Sequence, residues 1–346
     1  MCGTDWRTYE LMYYDLGEMS IKDIFQYKYI EPFYSLINII SSKLNACFWT
    51  FFITLKICIS IILFKTLKDN CPVDVIYLAL LFFLSFFGFF MLVDNPMRNV
   101  IAVAITSLAI PQLFKGKVVN YCLIVFIAVL FHYSAIFMLV LYPIIRRKNS
   151  NKCLIVAYIV VNVIFINPEI LYQIVAYIAS PFPILTWKIE AYLKQLDSVA
   201  GGKLFSLGLL THFLFFILLL YSRRNIERIP NGSFIFNLAI IFPIVFRMGL
   251  TSLVFSRFQL YVALFYSIAV CLTIYRFSFS SRIVYKLCIV VICFYTTYNT
   301  VTSDYRYIPY TNYFYEQIFG RELTFEERSD YNKLNSPYKN KDIFKK

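Results

Sequence analysis

Charge is scarce in this sequence of 346 residues: only 15% are Asp, Glu, Lys or Arg, and there are two histidines. A soluble domain carries about a quarter charged residues, so a chain this poor in charge does not read as one. Glycine is also sparse, with ten residues, and no glycine-rich phosphate loop is present. Neither H-E-x-x-H nor G-x-S-x-G occurs, which sets aside the zinc-hydrolase and nucleophile-elbow enzymes. The nine cysteines are scattered, mostly inside apolar runs, and none forms a C-x-x-C pair. They read as small buried hydrophobes rather than as disulfides or metal ligands. No low-complexity tract, internal repeat or signal-peptide core stands out.

What the sequence has in abundance is apolar residues, 60% of the total. They fall into runs at 44–64, 73–93, 98–114, 119–143, 153–178, 204–221, 233–255, 257–277 and 283–303. Runs of roughly 20 residues are long enough as helices to cross a hydrocarbon core about 30 Å thick. A bilayer admits only helices or closed barrels, and these runs lack the period-two alternation of barrel strands. The expected fold is therefore an all-α, polytopic transmembrane helical bundle. An outer-face segment (1–43) precedes the transmembrane domain (44–303), and an outer-face tail (304–346) follows it.

The net charge of +13 sits in short connectors rather than on a soluble basic face, which argues against nucleic acid as a partner. Lys65 and Lys68, Lys115 and Lys117, Arg146-Arg147-Lys148 with Lys152, Arg223-Arg224 with Arg228, and Arg276, Arg282 and Lys286 mark cytoplasmic loops. The connectors near Asp94, 180–203 and Ser256 then face outward. One run breaks the alternation, because 119–143 has cytoplasmic signals at both ends. Its length is about 37 Å as one helix, or two legs of about 18 Å if bent. A broken, re-entrant hairpin turning near Phe131-His132-Tyr133-Ser134 satisfies the charges. Alternatively the short third run, between Pro96 and Pro111, is the one that fails to cross.

Ionisable residues inside such runs cost roughly 2.5 to 3.5 kcal/mol each at a helix centre, so they form a short list of candidates. Arg98 opens the third run, His132 lies at the bend, Arg247 interrupts the seventh and Arg257 opens the eighth. Together they suit one cationic pocket open to the outer face. Guanidinium groups grip phosphate oxygens in pairs and keep their charge, and imidazole exchanges a proton near neutral pH. Each also has a structural reading: Arg98 and Arg257 as snorkelling flanks, Arg247 as the partner of an acid, His132 as a hydrogen-bonded core residue. His212 lies in a plain apolar run and reads as structural. Gly201-Gly202 marks a turn.

Several short stretches, in this order, resemble the EpsG/Wzy-type family of bacterial polysaccharide polymerases. Gly3-Thr4-Asp5-Trp6-Arg7-Thr8-Tyr9 and then Glu31-Pro32-Phe33-Tyr34 look like that family's first outer segment. Arg98-Asn99 is similar to its helix-opening Arg, and Phe131-His132-Tyr133-Ser134-Ala135 to its f-H-x-S-A box. Ser256-Arg257-Phe258 with Tyr261 resembles its S-R-[FY]-x-x-Y element, and Ile308-Pro309-Tyr310 its stretch after the last span. The resemblance implies a metal-independent, cofactor-free glycosyl transfer between undecaprenyl-pyrophosphate-linked oligosaccharides at the bacterial inner membrane. It implies catalytic roles for His132, Arg98 and Arg257, and substrate contacts from Arg247, Tyr261, Asp5, Tyr9 and Glu31. Membrane lipids and a chain-length regulator would be the other partners. Family members carry a span before the G-x-D stretch, which implies that Met1 is an internal start. A ligase that moves finished glycan, a flippase for lipid-linked sugars and a membrane acyltransferase are the competing readings. The ligase usually has a larger outer loop, and transporters commonly have internal repeats.

Overall fold

The computed structural model describes residues 5–24, 30–94, 96–166, 205–251 and 253–303, together with residues 173, 177, 318 and 319. In chain order the helices are α1 (Asp5–Gly17), α2 (Pro32–Lys43), α3 (Phe48–Asn70), α4 (Ile76–Phe83), α5 (Met97–Phe114) and α6 (Val118–Phe131). They are followed by α7 (Ile136–Arg146), α8 (Asn151–Ile164), α9 (Leu207–Ile226), α10 (Gly232–Thr251), α11 (Leu253–Leu272) and α12 (Phe279–Ser303). The helix begun by α4 continues in the wider π geometry over Leu84–Asp94. No strand occurs among the described residues. Seven helices there are long and apolar enough to cross a membrane. The chain is thus an all-α, multi-pass membrane bundle.

The ends of these helices follow from local chemistry. Ser206 caps α9 and Ser150 caps α8, each hydroxyl accepting an N–H that the first turn leaves unpaired. Pro32 opens α2, where its missing N–H costs nothing. Between α5 and α6 the chain turns through Gly116 at φ +69°, a conformation open to glycine and strained for most other residues. Burial then ranks the spans. In the most apolar stretch of Phe255–Arg276, 89% of the residues are buried and the helix forms the centre of the bundle, whereas in that of Phe279–Thr302 only 11% are, and its apolar side chains face outward. An apolar surface of that kind belongs against lipid.

The irregular element is the hairpin. Helices α6 and α7 run back to back around His132, whose backbone is extended (φ −158°, ψ 122°) and ends α6. Tyr121, near the start of α6, donates its hydroxyl to the Met138 carbonyl at 2.7 Å, and its ring lies 5.1 Å from that of Tyr142 near the end of α7. A Cβ on Gly116 would sit 3.2 Å from the Arg146 guanidinium, so the two feet of the hairpin meet. The legs are 14 and 11 residues, about 21 and 16 Å, too short to cross singly. The third run, by contrast, is an uninterrupted helix of 18 residues with Pro111 inside its last turn. By length and composition that helix is able to cross, which favours the hairpin over the third run as the irregular element. Of the run at 153–178, α8 covers the first part; residues 167–172 lie outside the described residues, as do Gly201-Gly202 and Ile308-Pro309-Tyr310.

The bundle has two chemically distinct ends. Lys115, Arg146, Arg223 and Arg276 close helices α5, α7 and α9 and the turn after α11 at one end. Arg98 and Arg257 open α5 and α11 at the other. Helices α1 and α2 pack over that second end through an aromatic face. Trp6 lies 5.6 Å from Trp49 at the start of α3, Tyr13 packs on Phe48 and Phe51, and Phe33 meets Phe131 beside the hairpin apex. Tyr13 also donates to the Ala46 carbonyl at 2.6 Å, tying α1 to the chain that leads into α3.

Candidate active site

At the end covered by α1 and α2, four separate elements deliver polar side chains to one place. Glu31 stands at the N-terminus of α2 and its side chain is almost fully buried (5% exposed). A buried carboxylate is costly unless paired. Its partner is Arg98, in the first turn of α5, whose Nη1 lies 2.6 Å from Glu31 Oε2. The other carboxylate oxygen lies 3.7 Å from His132 Nδ1. From α11, Arg257 Nη1 reaches His132 Nε2 at 3.0 Å. Arg98, Glu31, His132 and Arg257 thus form a continuous chain of charged and titratable groups.

Behind this chain lies a neutral layer. Asn99 Nδ2 donates to Ser134 Oγ at 2.8 Å and to the Tyr261 hydroxyl at 3.2 Å. Ser134 Oγ and the Tyr261 hydroxyl are 2.8 Å apart, and Ser134 Oγ is 3.1 Å from His132 Nδ1. All three side chains are buried. The layer ties α5, the hairpin apex and α11 together and fixes the plane of the imidazole. Replacing Asn99 with alanine removes the donor shared by both hydroxyls. We expect a stability loss of about 0.6 to 2 kcal/mol, the range for interhelical hydrogen bonds in membranes, read from thermal unfolding in detergent.

The two ring nitrogens of His132 both face donors. The Ser134 N–H points at Nδ1 from 3.2 Å and Arg257 at Nε2 from 3.0 Å. A neutral imidazole has one lone pair in its plane, so it cannot accept from both. Arginine has only donors, and of the two it is the one on a long side chain. The contact most readily exchanged for a ligand is therefore the one to Arg257. Among the described residues, Arg98 Nε and Asn99 Oδ1 are buried without a hydrogen-bond partner, so the site holds polar capacity that its own side chains leave unused.

The comparison with known families meets this geometry on the same residues. The family model for EpsG matches residues 1–312 and so spans every member of the cluster. The chain belongs to the EpsG family. No curated protein and no solved structure matches it. As an EpsG-family protein it is a multi-pass membrane protein of the polysaccharide-polymerase type, with glycosyltransferase-like chemistry.

Within this EpsG-family chain, the residues expected from sequence are not all together. His132, Arg98, Arg257, Glu31 and Tyr261 share the cluster. Tyr9 joins it from α1: burial holds its phenol above the usual range, and the Arg98 guanidinium beside it offsets part of that rise. Asp5, one turn earlier on α1, acts on the same phenol by its charge. Arg247 is held elsewhere, its Nε donating to Asn162 Oδ1 on α8 at 3.0 Å. His212 is buried against Phe242 and Phe246 with Nδ1 2.7 Å from the Tyr266 hydroxyl, in keeping with a structural residue. Asn99 and Ser134 drew no separate attention from sequence. Their signal was membership of the family-like stretches, Asn99 following Arg98 and Ser134 standing at the serine of the f-H-x-S-A box.

Proposed function

We propose that this EpsG-family protein polymerises undecaprenyl-pyrophosphate-linked oligosaccharide repeat units on the periplasmic face of a bacterial inner membrane, without a metal ion. The reading rests on one observation: Arg98, Arg257, His132 and Glu31 converge at the end of the bundle opposite its basic connectors. The positive-inside rule assigns the basic end to the cytoplasm, and the cluster then faces the compartment where repeat units are joined. O-antigen, capsule and exopolysaccharide chains are all products compatible with this chemistry.

In this mechanism the acceptor sugar's hydroxyl oxygen attacks the anomeric carbon of the growing chain. A new C–O bond forms as the bond to the lipid pyrophosphate breaks, and the electron pair leaves with the pyrophosphate. Arg98 and Arg257 bind its oxygens and stabilise the charge that accumulates there. In the tautomer whose proton sits on Nδ1, facing Ser134 Oγ and Glu31, the lone pair is on Nε2; as Arg257 moves to phosphate, Nε2 is released to accept the hydroxyl proton, and Glu31 beside Nδ1 supports the imidazolium that forms. Two guanidiniums supply the charge stabilisation that a divalent cation provides elsewhere. Tyr9 and Tyr261 hold the walls of the site, and a chain-length regulator would act on it from outside.

The test is surface polysaccharide from a strain deleted for the gene, resolved by chain length on a gel. The expected outcome is loss of the ladder with a single repeat unit still displayed. Loss of every repeat, including the single one, would point instead to a ligase or flippase, and an unchanged ladder would remove the reading altogether.

A further inference from the structure

At the basic end of the bundle the arginines differ in what holds them. Arg223 is satisfied within the protein, donating to Glu227, to the Asn149 carbonyl and to Asn151 Oδ1. In the turn from α11 to α12 two guanidiniums are pinned but leave most of their five N–H groups without a protein acceptor among the described residues. Arg276 donates from Nη2 to the Tyr221 hydroxyl at 2.8 Å, and its guanidinium carbon lies 4.4 Å from the centre of that ring. Arg282 donates from Nε to the Phe277 carbonyl at 3.0 Å, 5.9 Å from the Tyr275 ring. Among the described residues no carboxylate lies within 4 Å of Arg276, Arg282 or Lys286. Asp74, on the facing connector, already accepts the Tyr275 hydroxyl at 2.7 Å.

A strip of apolar side chains begins at the same turn. Phe279, Ile283, Leu287, Val291 and Tyr295 follow at intervals of four along α12, each more than half exposed, with Phe279 at 79%. Residues four apart lie one above another on a helix, so the five make one continuous strip. Its first three rise about 12 Å, close to the depth of one leaflet's hydrocarbon. Arg282 and Lys286, also four apart, form the neighbouring row.

From this geometry we infer that the turn binds one anionic phospholipid of the cytoplasmic leaflet, its phosphate at Arg276 and Arg282 and an acyl chain along the strip on α12. The positive-inside rule puts this turn at that leaflet. A guanidinium grips phosphate oxygens in pairs. One that is already stacked on a ring and pinned by a hydrogen bond loses little further freedom in doing so. The apolar strip commits the site to a lipid, because a soluble phosphate ion gains nothing from Phe279 and the residues above it. The bound lipid covers α12, the least buried of the seven candidate spans, and fastens its foot to Tyr221 at the end of α9. Such a site is independent of what the opposite end of the bundle catalyses.

The experiment is native mass spectrometry of the full chain, released from nanodiscs of equal parts phosphatidylglycerol and phosphatidylcholine. The wild type should keep one copy of phosphatidylglycerol in preference to phosphatidylcholine. Replacing both arginines, Arg276→Gln with Arg282→Gln, should weaken that copy about thirtyfold, the usual contribution of two basic residues at an anionic surface. Lys148→Gln with Lys152→Gln removes the same charge from another connector and should change retention by less than about twofold. Phosphatidylglycerol carrying a diazirine on its acyl chain should label α12 between Phe279 and Val291 in the wild type. That label needs no variant, so it stands even where a substitution disturbs the turn. Equal retention of the two lipids, an equal loss in the lysine pair, or labelling confined to other helices overturns the site. Displacement of the lipid by millimolar inorganic phosphate overturns it too, by making the arginines a site for a soluble ion.

Discussion

Replacing His132 with alanine should abolish polymer while single repeat units continue to reach the surface, in a protein that still inserts and purifies normally. General-base groups contribute about 10² to 10⁴ in rate, and a loss of that size in polymerisation leaves no visible ladder. Three contacts single out this residue. The extended backbone at the hairpin apex places it at the cluster, Glu31 stands at Nδ1, and Arg257 occupies the nitrogen that would face an acceptor hydroxyl. A purely structural histidine would behave differently. His132→Gln keeps a hydrogen-bonding amide and should preserve packing, so a structural role predicts a restored ladder and a catalytic role predicts none. Thermal unfolding of the two variants against wild type separates loss of fold from loss of chemistry. A ladder of normal length from His132→Ala would end the proposal that this side chain takes a proton.

Replacing Arg257 with lysine gives the second large effect, because charge is retained and only geometry is lost. A guanidinium offers a planar fork that grips two phosphate oxygens while an ammonium is a compact point charge. Removing one preorganised charge-stabilising donor costs about 10² to 10³ in turnover, and we expect Arg257→Lys to fall in that range. The turnover should be measured with purified protein and lipid-linked repeat units, and the loss should lie in kcat more than in KM. Arg98→Lys should be milder in turnover but harsher in stability. Arg98 is paired with the buried Glu31 carboxylate, and an ill-fitting partner leaves that charge poorly compensated. If Arg257→Lys turned over at the wild-type rate, the residue would be a positive flank and nothing more.

Much of this was legible in the sequence because membranes make certain residues expensive. Arg98, His132 and Arg257 stood out by cost alone, and they are the residues that come together. The hairpin was legible for an equally simple reason, since Lys117 and Arg146 both belong on the basic side and bracket a run too short for two full spans. What was not legible is rotation about a helix axis. Helix α10 is apolar along most of its length, so the sequence does not say which neighbour Arg247 will face, and the structure turns it toward Asn162 of α8. The same holds for Asn99 and Ser134. Single polar residues within apolar runs have no period to reveal a face, and only packing shows that both point at Tyr261. Glu31 was visible through resemblance alone, because it lies in a mixed segment where an acid is ordinary. Its burial beneath α1 and α2 is a tertiary fact.

The shortness of the α6 leg carries a consequence for the product. A leg of 14 residues rises about 21 Å from the basic end, so its tip halts several ångströms below the opposite boundary of a hydrocarbon layer about 30 Å thick. On the proposed function, a site sunk to that depth would be reached by the sugars next to the carrier and by little else. A strand of two repeats and a strand of fifty look the same from the bottom of such a well. On the polymerase reading, strand length would then have to be sensed away from this depth, as by the regulator proposed to act from outside.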